Sequence, residues 1–180
     1  PTSKDILIFK EESEAFTVGI GLSSDEKYFF ITSSDHNTSE QYYFKADEII
    51  PKPKLIDKRK RGIIYSVNSW NGNFYKHTNE DAEDFKIEKT NDLEKKEWET
   101  FIPAREEVLI GGLIFLNDWI IRSETSNALS KLILRNPKND EEEEIFFSDE
   151  KVIVPGVSLT QRDRNTDTVY LSYSSPKTPG

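Results

Sequence analysis

Cysteine is absent from all 180 residues, which removes disulfides, zinc–thiolate sites and thiol nucleophiles together and fits a reducing compartment. Methionine is absent as well, and the chain begins at Pro1 directly ahead of a strand-like stretch. The boundaries therefore read as cut from a longer protein. No apolar run approaches the roughly 18 residues of a membrane helix, and PTSKDILIFKEE has none of a signal peptide's layout. A soluble, unexported, cytoplasmic chain with no membrane partner is expected. Positive charge is in deficit, 24 Lys and Arg against 33 Asp and Glu for a net charge of -9, so a nucleic-acid partner is excluded as a default. Alanine occurs five times, whereas Ile, Val, Thr, Tyr, Phe and Trp total 58, the reverse of what strong helices use. Only 35% of the residues are hydrophobic, yet 12% are aromatic and 18 are isoleucine, the material of buried, pleated structure.

What is present is a repeat. The runs FTVGIGLS (Phe16 to Ser23), IIYSVNSW (Ile63 to Trp70), VLIGGLIF (Val108 to Phe115) and VIVPGVSL (Val152 to Leu159) start 47, 45 and 44 residues apart. Each is followed by a polar turn and a second strand: SDEKYFFITS, NGNFYKHTN, NDWIIRSE and NTDTVYLSY. Asp25, Asn71 and Asn117 mark the first three turns at intervals of 46 and 46, with residue types that tolerate positive φ; Asn71-Gly72 is the strongest hairpin signal. Third strands follow in EQYYFKA, DFKIEK and KLILRN, and fourth strands in PKLID, WETFIPA and EEIFFSD.

Four short antiparallel strands in about 40 to 50 residues define a β-propeller blade. The fold expected is all-β, a partial β-propeller. ILIFKEE (Ile6 to Glu12) is the outer strand of a preceding blade, three full blades occupy approximately 16–61, 62–106 and 107–149, and a half blade follows. Partial blades thus span 1–15 and 150–180, for fifteen strands in all. Gly19, Gly21, Gly111, Gly112 and Gly156 fall in the first strands, where convergence on the propeller axis gives small residues a packing role; the competing reading is that they mark bulges.

In this register the chain resembles the oligopeptidase B (protease II) branch of the prolyl oligopeptidase family of serine peptidases. The resemblance rests on FTVGIGLSSDEKYFFITSSDHNTSE, RGIIYSVNSWNGNFYKHTNEDAEDFKI, WETFIPAREEVLIGGLIFLNDWIIRSETSNALSKLILR and NTDTVYLSYSSPKTP, and covers nearly the whole chain. It implies a bacterial cytosolic enzyme that cuts short peptides after Arg or Lys. A Ser-Asp-His triad would lie on an α/β-hydrolase domain, with the propeller capping it and limiting substrate size. That catalytic domain is absent from these residues: no G-x-S-x-G elbow occurs in them.

Candidate chemistry is sparse. His36 and His77, each placed in a polar loop after a second strand, lack a second histidine at ligand spacing and read as solvated residues. Asp163, Asn165 and Asp167 begin a D-x-N-x-D pattern, but Thr168 and Ser174 stand where a calcium loop requires glycine and glutamate. Asp140 to Glu144 reads as a solvated acidic edge, and Lys58-Arg59-Lys60-Arg61 as a solvated crossover rather than a polyanion patch. Asn37-Thr38-Ser39 matches a glycosylation sequon by chance. No catalytic residue, metal or cofactor is expected. Arg105, in FIPAREE, is singled out as a domain-interface residue whose fork pairs with carboxylates of the catalytic domain; a local ion pair with Glu106 or Glu107 is the rival.

The reading is a noncatalytic, substrate-filtering propeller portion of a serine oligopeptidase, whose partners are its own catalytic domain and peptides. The alternatives are a free-standing interaction propeller and, more weakly, a lectin-like or metal-dependent module. Open sheet edges at both ends also lead to the expectation of a two-fold homodimer.

Overall fold

A computed structural model of the chain describes residues 5–145, 154–156, 167–170 and 172–174. Those residues hold fourteen strands and no helix, and the chain divides into two compact units, Pro1–Pro103 and Ala104–Gly180.

The first unit contains two four-stranded antiparallel sheets, each a meander. One is β1 (Thr17–Leu22), β2 (Tyr28–Ser34), β3 (Ser39–Lys45) and β4 (Lys54–Leu55). The other is β5 (Tyr65–Trp70), β6 (Asn73–Thr78), β7 (Lys86–Thr90) and β8 (Glu99–Ile102). Asn71 and Gly72 join β5 to β6 with φ of 49° and 77°, the pair of positive values that a two-residue primed turn requires. Strand alternation sends Phe30 and Tyr43 of the first sheet against Tyr65, Val67 and Phe74 of the second, with Ile56 and Leu93 closing the cluster. Burying a side chain of that size contributes about 1.5 to 3 kcal/mol.

The edge of β5 is closed by side chains rather than by another strand. Tyr65 N–H donates to Ser39 Oγ at 2.7 Å and Val67 N–H to Gln41 Oε1 at 2.6 Å, while the Ser39 hydroxyl returns a bond to Tyr65 O at 2.7 Å. Nearer the hairpin end, Ser69 Oγ donates to Asp25 Oδ2 at 2.9 Å and Ser24 N–H to Asn68 Oδ1 at 2.8 Å. An edge whose polar groups are so occupied cannot recruit a foreign strand.

The opposite face of the first sheet is only half covered. Ile6 to Glu12, expected as an outer strand, joins no ladder of the described residues. It lies across that face, with Phe9 4.8 Å from the Tyr42 ring and Glu11 accepting from Ser33 Oγ at 2.6 Å. The Glu11 carboxyl is drawn down to about 2, first by Ser33 and then by the Ser13 N–H, with Arg59 assisting against the opposing effect of burial. Val18, Ile20 and Leu22 share the face, opposite Ser33, Ile31 and Phe29, and remain 49%, 59% and 46% exposed.

In the second unit β9 (Leu109–Phe115), β10 (Ile120–Ser126), β11 (Leu129–Arg135) and β12 (Glu142–Glu144) form a third four-stranded sheet, and β13 (Val154–Gly156) pairs with β14 (Ser172–Ser174). Leu116, Ile121 and Leu132 are its buried cluster, packed by Trp119 and Val169 among others. Asp118 N–H donates to Asp167 Oδ1 at 2.8 Å.

A Cβ on Gly19, Gly21 or Gly112 would meet nothing within 4 Å among the described residues. A Cβ on Gly111 would lie 2.0 Å from Ser123 Oγ and 3.0 Å from Ser123 O. The register jumps there, because Arg122 faces Leu113 and Glu124 faces Ile110, leaving Gly111 and Gly112 opposite Ser123 alone. Gly111 is a bulge glycine. Of the expected half blade, Gly156 is described only as part of β13.

Candidate functional site

Arg105 stands in the connection that enters β9, locked by a bridge to Val108 whose N–H donates to Arg105 O at 3.2 Å. Glu107 at the turn has φ of 58°. The Arg105 guanidinium pairs with Glu124 Oε1, not with Glu106 or Glu107. Glu124 is 1% exposed while Arg105 is 42% exposed, so a buried carboxylate holds one side of the fork and leaves the other to solvent.

Glu124 is itself held from below. Arg122, two residues earlier on the same face of β10, donates through Nε to Glu124 Oε1 at 2.7 Å. Its two remaining nitrogens grip both oxygens of Glu142 at 2.6 and 2.7 Å, the bidentate geometry that favours arginine. Burial works against the Arg122 charge, but the hydrogen bonds it donates to Glu142 and Glu124 outweigh it and raise its pKa. The same fork lowers Glu142 to about 2, against burial and with help from Arg135. Glu124 Oε2 is buried without a hydrogen-bond partner among the described residues; Lys131 Nζ lies 3.9 Å away and 3.5 Å from Glu144. Asp140 is held by Arg135 at 2.8 Å.

This network corrects two expectations. The acidic run is not simply a solvated edge: Glu142 to Glu144 form β12, and Asp140, Glu142 and Glu144 are paired with basic side chains of the same sheet. Arg105 does have a local partner, but 19 residues along the chain. The sequence carried one usable signal, Arg122 and Glu124 spaced by two on a strand, which a period of two places on one face.

The remaining candidates are scattered. His36 lies in its expected loop, 85% exposed and 4.0 Å from Asp35. His77 belongs to β6 rather than to a loop, its ring stacked 4.5 Å from Phe85. Arg59 is no solvated crossover residue: it is 30% exposed, bonded to Glu11 and Glu40, and stands 4.1 Å over the Phe16 ring. The Asn37 side chain accepts from Thr38 Oγ1 at 2.9 Å. Asp163 and Asn165 lie outside the described residues, and Asp167 Oδ1 is taken by the Asp118 N–H. Among the described residues no group of three or more His, Cys, Asp or Glu side chains is arranged to hold a metal ion. The geometry is that of an electrostatic brace, with an arginine offered at its surface.

Repeated four-stranded antiparallel sheets place the chain in the β-propeller class. It belongs to the family described as prolyl oligopeptidase, N-terminal beta-propeller domain, whose family model matches residues 1–180. Similar proteins include "Protease 2" of Moraxella lacunata, 29% identical over 177 residues, covering 97% of this chain and 25% of that protein. "Dipeptidyl aminopeptidase BI" of Pseudoxanthomonas mexicana is 29% identical over 185 residues, covering 99% and 25%. The fold is shared with oligopeptidase B of Trypanosoma brucei, solved with covalently bound antipain in a closed form, at a TM-score of 0.86 and 22% identity over 97% of this chain and 26% of that one. Oligopeptidase B of Leishmania major gives 0.82 and 15%, covering 96% and 26%. The chain therefore spans about a quarter of the length of the curated relatives it matches.

Proposed function

We propose that this chain is the noncatalytic propeller portion of a cytoplasmic serine oligopeptidase resembling oligopeptidase B, which caps an α/β-hydrolase domain of the same parent chain and admits only short peptides to be cut after Arg or Lys. The observation that carries the reading is the match of all 180 residues to a propeller family of peptidases, together with the quarter share of "Protease 2" that the chain covers. The blades belong to the proposal, at 16–61, 62–106 and 107–149 with partial blades 1–15 and 150–180. In its support, one four-stranded sheet falls within each full interval. The half-covered row of Val18, Ile20 and Leu22 suits the inner strands of a preceding blade, whose outer strand Ile6 to Glu12 supplies. A two-fold homodimer through the open sheet edges at the two ends of the chain, Ile6 to Glu12 and Val152 to Ser175, is part of the same reading.

Arg105 is assigned to the domain interface. A guanidinium fixed by a buried carboxylate loses little side-chain freedom when its open side meets a second carboxylate, so it is preorganised for docking. The test is the reading frame that continues past Gly180. An α/β-hydrolase sequence with a G-x-S-x-G elbow, followed by the Asp and His of a triad, is expected; a stop codon or an unrelated domain would overturn the proposal in favour of an interaction propeller.

A further inference from the structure

Alternate residues of the basic run Lys58 to Arg61 part company in the first unit. Arg59 turns to Glu11 and Glu40, whereas Lys58 and Lys60 line a cavity of about 280 Å³ together with Lys76 and Lys96. The four lysines come from three separate places: the β4–β5 crossover, the middle of β6 and the β7–β8 connection. Lys76 is only 5% exposed, stands 4.4 Å over the Trp98 ring and donates to Glu88 at 2.9 Å; Glu88 is shared with Lys86. The lining itself carries two carboxylates, Asp57 and Glu80. Glu80 is paired with Lys60, and Asp57 is divided between Lys76 and Lys96 at 3.6 Å from each.

Four lysines against two carboxylates leave the lining with a formal excess of two positive charges, in a chain whose net charge is -9. Lys58 forms no ion pair among the described residues. Trp98 is another lining residue, so its indole signal reports on occupancy of the cavity. The volume lies just below the range of about 300 to 1,000 Å³ for drug-sized pockets, which suits a compact ligand rather than a peptide.

We propose that this cavity binds a compact dianion of the phosphate type. Such an ion cancels the excess of two charges and brings several acceptor oxygens to lysine ammonium groups held on separate elements, where each charge-assisted bond is stronger than a neutral one.

Inorganic phosphate is the probe, titrated into the 180-residue chain at constant ionic strength with chloride as counter-titrant, while the indole N–H resonances of the three tryptophans are followed. The Trp98 signal, assigned by its loss in Trp98→Phe, is expected to move saturably while those of Trp70 and Trp119 do not. Lys58→Gln/Lys60→Gln/Lys96→Gln should weaken binding about tenfold or more, the scale of losing charged hydrogen bonds. The corresponding triple change to arginine should keep it, as should Lys10→Gln/Lys45→Gln/Lys138→Gln, which removes equal charge elsewhere. A linear, unsaturable response, or equal weakening in the remote triple variant, would overturn the site.

Discussion

At the scale of single residues, the second unit is organised by charges that satisfy one another across strands. Arg122 is 5% exposed at its side chain and Glu124 1%, a placement that costs several kcal/mol per ion unless hydrogen bonds repay it. Glu142 completes that repayment, and its folded pKa of about 2 lies below the ordinary 4.5. A depressed carboxylate contributes stability above its unfolded pKa and loses it as the pH falls through the folded one. Glu142→Gln should therefore lower stability by about 1 to 3 kcal/mol at pH 7, the cost of leaving a charged donor short of its partner. The difference between the two proteins should shrink as the pH falls from 4.5 toward about 2. Urea unfolding midpoints at pH 7, 4 and 3 measure it, and a difference that stays constant would show that Glu142 acts through packing alone. The partnership with Glu142 was not legible locally, because Glu142 meets Arg122 from 20 residues away and only the folded sheet sets that register.

Whole elements were more readable. Asn71-Gly72 announced its hairpin because only a few residue types accept two successive positive φ values, and the structure has them. The β10–β11 hairpin turns on Asn127 and Ala128 with φ of 50° and 60°; an alanine there carries no signal, so the position of that turn could not be read. Glycine in a strand is ambiguous for a different reason, since bulge, close approach and simple tolerance look alike in sequence. The structure separates them, and a pair of substitutions tests the separation. Gly111→Ala should cost about 1 to 3 kcal/mol because its methyl overlaps Ser123 at the bulge. Gly112→Ala, with nothing within 4 Å, should stay within about 0.5 kcal/mol of the parent. Thermal unfolding of the two variants decides the point, and equal effects would remove the bulge explanation.

For the molecule as a whole, the repeat interval and the order of strands were carried by runs that start 44 to 47 residues apart, because each blade solves the same packing problem with the same pattern, whereas the family was carried by resemblance in particular stretches of sequence. The inter-sheet polar bonds were not legible. Ser39 and Gln41 look like ordinary strand residues until the β5 backbone is seen to depend on them. They explain how a blade can offer a strand edge to its neighbour without forming a continuous sheet, and β1, whose six residues are all exposed, is where the described residues provide no such cover. We propose that these residues cap and filter but do not cut. Nucleophilic catalysis requires a nucleophile, a base and an orienting group within hydrogen-bond reach, and His36 and His77 occupy unrelated places, one in an exposed loop and one stacked in β6. The direct measurement is incubation of the purified 180-residue chain with short Arg- and Lys-containing peptides. No hydrolysis above the buffer control is predicted; sustained turnover that follows the chain through repurification and survives substitution of both histidines would contradict the account.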